Sequence, residues 1–109
     1  MKVTKFKFKE ELDKPTSFKF NNIGDKIQGK FVKYAENKRF KNVYYLILNN
    51  NEGSFIISCP KNLQWKMQQL VDNNKVDNDT TLIIEYVENQ QVAKYSNPKK
   101  IFNIYKVEE

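Results

Sequence analysis

The chain has 109 residues, 39% hydrophobic and 29% charged, with 19 Lys and Arg against 13 Asp and Glu and a formal net charge of +6. That length suits one domain and excludes a two-domain enzyme with an interdomain cleft. With no His and a single Cys59, the chain cannot build a Cys/His zinc site, a Ser-His-Asp or Cys-His catalytic pair, or an internal disulfide.

Residues 1–20 read as an N-terminal extension or outer strand. Lys5-Phe6-Lys7-Phe8-Lys9 alternates with period two, Asp13-Lys14-Pro15-Thr16 breaks the alternation, and Phe18-Lys19-Phe20 resumes it. The domain proper is expected over 21–109, opening on a turn at 21–25 where Asn22, Gly24 and Asp25 accept turn geometry at low cost. A first long strand follows at about 26–34, with Ile27 and Phe31 as apolar points and Gly29 where a bulge or sharp bend would coil it. The second, at about 42–48, is rich in β-branched and aromatic residues. A hairpin turn at 49–53 leads into the third, at 54–59. Pro60 ends that strand, Asn62 is an N-cap candidate, and Leu63, Met67, Leu70 and Val71 recur at helical spacing up to about 72–74. A fourth strand at about 81–87, a polar loop at 88–98 and a fifth strand at about 100–107 complete the chain.

This order, with one helix between the third and fourth strands, predicts an all-β barrel: a five-stranded OB-fold. An SH3-like barrel lacks the helix, and a ferredoxin-like fold needs two. Gly24-Asp25-Lys26-Ile27-Gln28-Gly29-Lys30-Phe31, Tyr44-Tyr45-Leu46-Ile47-Leu48 leading to Glu52-Gly53, the helix at 63–70, and Ile83-Ile84-Glu85-Tyr86 followed by a Lys-bearing loop and Lys100-Ile101-Phe102 carry a resemblance. Over residues 18–107 the chain resembles the single-stranded DNA-binding OB proteins of bacteriophages and mobile elements of low-GC bacteria. The resemblance implies a non-enzymatic, sequence-tolerant DNA-binding protein of replication or recombination, cytoplasmic in a bacterial or phage-infected cell. Single-stranded DNA is the implied partner; single-stranded RNA, replication proteins and a second copy of the chain remain open. The Gly-rich linker and acidic tail of cellular single-strand-binding proteins do not precede Glu108-Glu109, so docking of other proteins is expected on the domain itself or its N-terminal segment.

The charge distribution points the same way. Residues 1–45 hold 12 basic and 5 acidic side chains, a balance of +7, while 46–109 hold 7 and 8, a balance of −1. Aromatic residues interleave with the lysines; cations neutralise phosphate and ring faces stack on bases. The same composition would also serve a soluble domain with an aromatic core. On an OB-fold the ligand face is the second and third strands, flanked by the loops between strands one and two and between strands four and five. The first loop offers Lys38, Arg39, Phe40 and Lys41, and the second Lys94, Tyr95, Lys99 and Lys100. If Tyr44, Leu46 and Leu48 point inward, alternation places Val43, Tyr45 and Ile47 outward, with Tyr45 as the leading stacking platform. Phe55 is assigned to the ligand site with a core position as its alternative.

Other candidates carry less. Trp65 lies about 200° around the helix from Leu63, so it is either a contact for a partner or covered by the Phe6/Phe8 segment. Cys59 reads as a small buried hydrophobe. Asp72, Asp77 and Asp79 lack the Gly and terminal Glu of a calcium loop. Glu85 and Glu88 have no pocket motif that would make them a general acid and base. No cofactor, metal or membrane association is expected: no apolar run nears the roughly 18 to 20 residues of a membrane span.

Overall fold

In the computed structural model residues 15–91 and 99–108 are described; the expectations for Phe6, Phe8 and their neighbouring lysines lie outside them. The elements are β1 (Thr16–Ser17), β2 (Lys26–Glu36), β3 (Tyr44–Asn50), β4 (Gly53–Ser58), α1 (Lys61–Asp72), β5 (Thr81–Gln90) and β6 (Lys99–Val107). All six strands join one sheet in the order β1-β4-β3-β2-β5-β6. Neighbours are antiparallel except β1 and β4, which are parallel. No described helix is long and apolar enough to cross a membrane.

The five-stranded barrel expected from the sequence is therefore corrected to an open, six-stranded sheet. Two covered edges account for the difference. Thr16 and Ser17 pair with Phe55 and Ile56 of β4, and the Phe18 N–H donates to the Ile56 carbonyl at 2.9 Å. On β6 the Phe102 N–H donates to Asn62 Oδ1 at 2.9 Å, and Lys66 Nζ donates to the Phe102 carbonyl. Polar backbone that would otherwise template strand pairing is satisfied at both places. Phe20 fills the space between them, edge-on to both Phe18 and Phe102 with centroids 4.9 Å apart, while Lys100 Nζ donates to its carbonyl at 2.9 Å. The core takes in Phe20, so the described part of the N-terminal segment is built into the domain.

β2 bends because it serves two partners: 26–30 pair with β5 and 30–36 with β3. Gly29 permits the crossing, since a Cβ there would stand 2.9 Å from Leu48 Cβ and 3.1 Å from the Asn49 carbonyl oxygen. The bulge lies three residues on, where the register shifts between Phe31 and Lys33.

One face of the sheet carries the core, with Leu46, Leu48, Ile57, Ile84 and Phe102 completely buried. Leu63 and Met67 bring α1 onto it at helical spacing, and the Tyr34 hydroxyl donates to the Gln64 carbonyl at 3.1 Å. Asn62 is not the N-cap: Pro60 precedes the helix without a capping side chain, and the Asn62 amide reaches β6 instead. β3 starts two residues later than predicted because Asn42, with φ 66°, belongs to the preceding loop. β5 and β6 are longer than predicted and pair out to Gln90 and Lys99, with a bulge between Tyr86 and Glu88; Lys99 and Lys100 are strand residues.

Candidate nucleic-acid interface

The face of β3 and β4 opposite the core follows from period-two geometry. Tyr45 lies beside Ser58, Ile47 beside Ile56 and Asn49 beside Ser54, while Leu46 and Leu48 between them point inward. Tyr44 also faces inward, stacked on Tyr34 with centroids 5.2 Å apart and planes at 13°. Half-buried Tyr45, Ile47 and Ile56 form an apolar strip on the outer face. Phe55 shares the inward face with Leu48, its cross-strand partner, and is packed against the core. It is not a platform on the same surface as Tyr45.

Lys33 was not among the expected contacts, yet its Nζ stands 5.7 Å from the Tyr45 ring centroid. Strict alternation from inward Phe31 would send Lys33 inward too. The register shift after Phe31 instead sets Lys33 opposite Ile47, while Lys30 is opposite Asn49, so both lysines occupy the outer face. The sequence signal was Phe31 and Tyr34, two inward aromatics three residues apart in one strand, which period two cannot satisfy without a bulge.

The loop from Asn37 to Val43 borders this surface and is folded by its own hydrogen bonds. Asn37 Oδ1 accepts from the Arg39 and Phe40 N–H groups at 2.8 and 3.2 Å, the Asn37 N–H donates to the Val43 carbonyl at 2.6 Å, and Glu36 Oε2 accepts from the Asn42 N–H at 3.0 Å. These bonds consume backbone groups and leave Lys38, Arg39, Phe40 and Lys41 exposed. Phe40 is 57% exposed, with the Arg39 guanidinium 5.8 Å from its ring centroid. An exposed aromatic ring beside cations can meet a base and the phosphates next to it.

The second expected rim is divided. Lys94 and Tyr95 lie outside the described residues. Lys99 and Lys100 are both exposed; besides bonding the Phe20 carbonyl, the Lys100 Nζ lies 5.4 Å from the Tyr86 centroid. Lys100 thereby also links β6 to the N-terminal segment. Register also separates the two rims. The Asn37–Val43 loop follows the C-terminal end of β2, whereas β5 and β6 extend beyond its N-terminal end, where Lys26 faces Glu85.

The other titratable candidates have structural surroundings. Burial pushes the Cys59 thiol up to about 12. The Asp77 carboxylate is held below its usual range chiefly by the Asp79 N–H, and then by the Thr80 hydroxyl, in the turn before β5. Trp65 is 61% exposed on α1. Comparison with family models, with curated proteins and with solved structures gives no match for this chain.

Proposed function

We propose that this protein is a non-enzymatic, single-stranded DNA-binding protein that takes its ligand across the outer face of β3 and β4. The observation that carries the proposal is Tyr45 flanked by Lys33 and bordered by the cationic loop with exposed Phe40. Bases stack on Tyr45 and Phe40, while Lys33, Lys38, Arg39 and Lys41 neutralise phosphate. Stacking and charge are indifferent to base identity, so binding is sequence-tolerant.

The sheet is taken here as an OB-type coil opened between β4 and β6. A first long strand shared by two partners, a hairpin on either side and the helix between the third and fourth long strands support that assignment. The preference for DNA over RNA, and a role in replication or recombination of a phage or mobile element, rest on the resemblance of the Gly24–Phe31 opening and the strands after it.

Fluorescence anisotropy with labelled oligo-dT, matched oligo-U and duplex DNA tests the proposal. The expected result is tight oligo-dT binding, weaker oligo-U and duplex binding, and a log K against log salt slope of about −0.7 for each phosphate contacted. Tyr45→Ala should cost about 1 to 3 kcal/mol of binding. Weak, indistinguishable binding of all three ligands would mean that the lysines only solubilise the domain.

A further inference from the structure

Where β2 changes partner, a cleft opens. Towards its N-terminus from Lys30, β2 pairs with β5 alone, and the β3–β4 hairpin diverges from it. The space between has a volume of about 710 Å³. Phe18 and Phe55, both half-buried at the margin of the core, form its aromatic floor. Lys26 and Lys30 stand along one wall, exposed on the outer face on either side of buried Ile27 and Gly29. Asn49 and Asn51 form the opposite rim, and Glu52 is the acidic residue among those lining the cleft.

The rim is held in place before any ligand arrives. Asn50 Nδ2 donates to the Gln28 carbonyl at 2.7 Å, and Asn50 Oδ1 accepts from the Glu52 N–H at 2.8 Å. The first bond ties the hairpin tip to the edge of β2 that has no strand partner. The cleft adjoins the surface already described, because the Lys30–Asn49 pair at its margin follows Lys33–Ile47 along the outer face, while its aromatic floor belongs to the inward face.

We propose that this cleft is a nucleotide subsite, taking one nucleotide of the bound single strand. Lys26 and Lys30 receive its phosphate, the base lies against Phe55 and Phe18, and the amides of Asn49 and Asn51 meet the base edge. A side-chain amide both donates and accepts, so it can pair with any of the four bases, and lysine supplies charge without directional demand. The strand thereby runs from the Asn37–Val43 loop past Tyr45 to the β3–β4 hairpin. This inference rests on the proposed DNA-binding function, although a free nucleoside monophosphate presents the same chemical groups.

Oligo-dT of about 4 to 16 nucleotides, titrated against wild type, a Lys26→Ala/Lys30→Ala protein and a Lys38→Ala/Arg39→Ala protein, tests it. Thermal melts establish that each variant is folded. The cleft variant is expected to bind the longer oligonucleotides about tenfold more weakly, with a salt slope shallower by about 0.7 for the one phosphate no longer neutralised. It should bind the shortest ones as wild type does.

Unchanged binding by the cleft variant at every length, with the loop variant impaired, would overturn the subsite and leave the DNA-binding function standing. Absence of oligonucleotide binding by wild type would overturn both. Side-chain amide NMR of wild type supplies a readout independent of substitution. The Asn49 and Asn51 resonances should move with long oligo-dT and much less with dTMP; movement with dTMP alone would make the cleft a free-nucleotide site and overturn its assignment to the strand.

Discussion

At Cys59 and Tyr34 burial acts on ionisation. The Cys59 thiol, 8% exposed, is held neutral by desolvation up to about 12. Tyr34 is also pushed up, first by its own burial and then by neighbouring Cys59. Both groups are acids that the fold prefers protonated. Their contribution is complete below the ordinary thiol and phenol values and is lost as pH rises through the folded-state values. Stability to urea should therefore hold from pH 7 to about 9 and fall above it, by up to about 1.4 kcal/mol per pH unit for Cys59 and by less for Tyr34, whose partly exposed hydroxyl is screened by solvent. Cys59→Ala should remove the part of the fall that begins near 9 and leave the part belonging to Tyr34. Urea midpoints at a series of pH values check this, and an identical alkaline fall in the variant would contradict it.

Among the elements, α1 and β6 are joined by side chain to backbone rather than by packing alone. Asn62 takes the Phe102 N–H and Lys66 the Phe102 carbonyl, completing the bonding of a residue whose ring is completely buried. Asn62→Ala should cost about 1 to 3 kcal/mol, the desolvation penalty of an unsatisfied buried group. Loss of an N-cap would have a similar cost, so stability alone does not separate the two roles. Hydrogen exchange does. The Phe102 amide should exchange faster in the variant, whereas a capping role would instead loosen the first-turn amides of α1. Asn62 looked like a cap because it precedes an apolar helical stripe; its distance from Phe102, 40 residues along the chain, hid its partner. The exposed outer position of Lys33 has a comparable origin, since a bulge resets alternation for every residue after it.

For the molecule as a whole, the N-terminal segment closes what the sheet leaves open. Phe20 is 5% exposed and contacts Phe102, β1 covers the edge of β4, and Lys100 holds the Phe20 carbonyl. A chain beginning at Asn21 loses all three. Losing Phe20 alone should cost about 3 to 5 kcal/mol, a large part of the roughly 5 to 15 kcal/mol that a domain possesses. The truncated chain should melt at lower temperature and associate through the uncovered β4 edge. Differential scanning calorimetry with sedimentation velocity checks both, and an unchanged melting temperature with a monomeric profile would contradict them.

The features legible in the sequence are those set by near neighbours. Alternation in Tyr44-Tyr45-Leu46-Ile47-Leu48 assigned the two faces of β3, helical spacing of Leu63 and Met67 set the buried side of α1, and Asn22, Gly24 and Asp25 marked a turn in which Asp25 Oδ2 accepts from the Asn21 and Asn22 N–H groups. These preferences arise from backbone geometry within a few residues. Tertiary structure alone decided that the sheet is open and six-stranded, that Phe55 turns inward, that Lys100 reaches the Phe20 carbonyl and that Lys33 meets Tyr45. Each depends on which distant segment reaches a strand edge or core face first, and neither composition nor period encodes that competition.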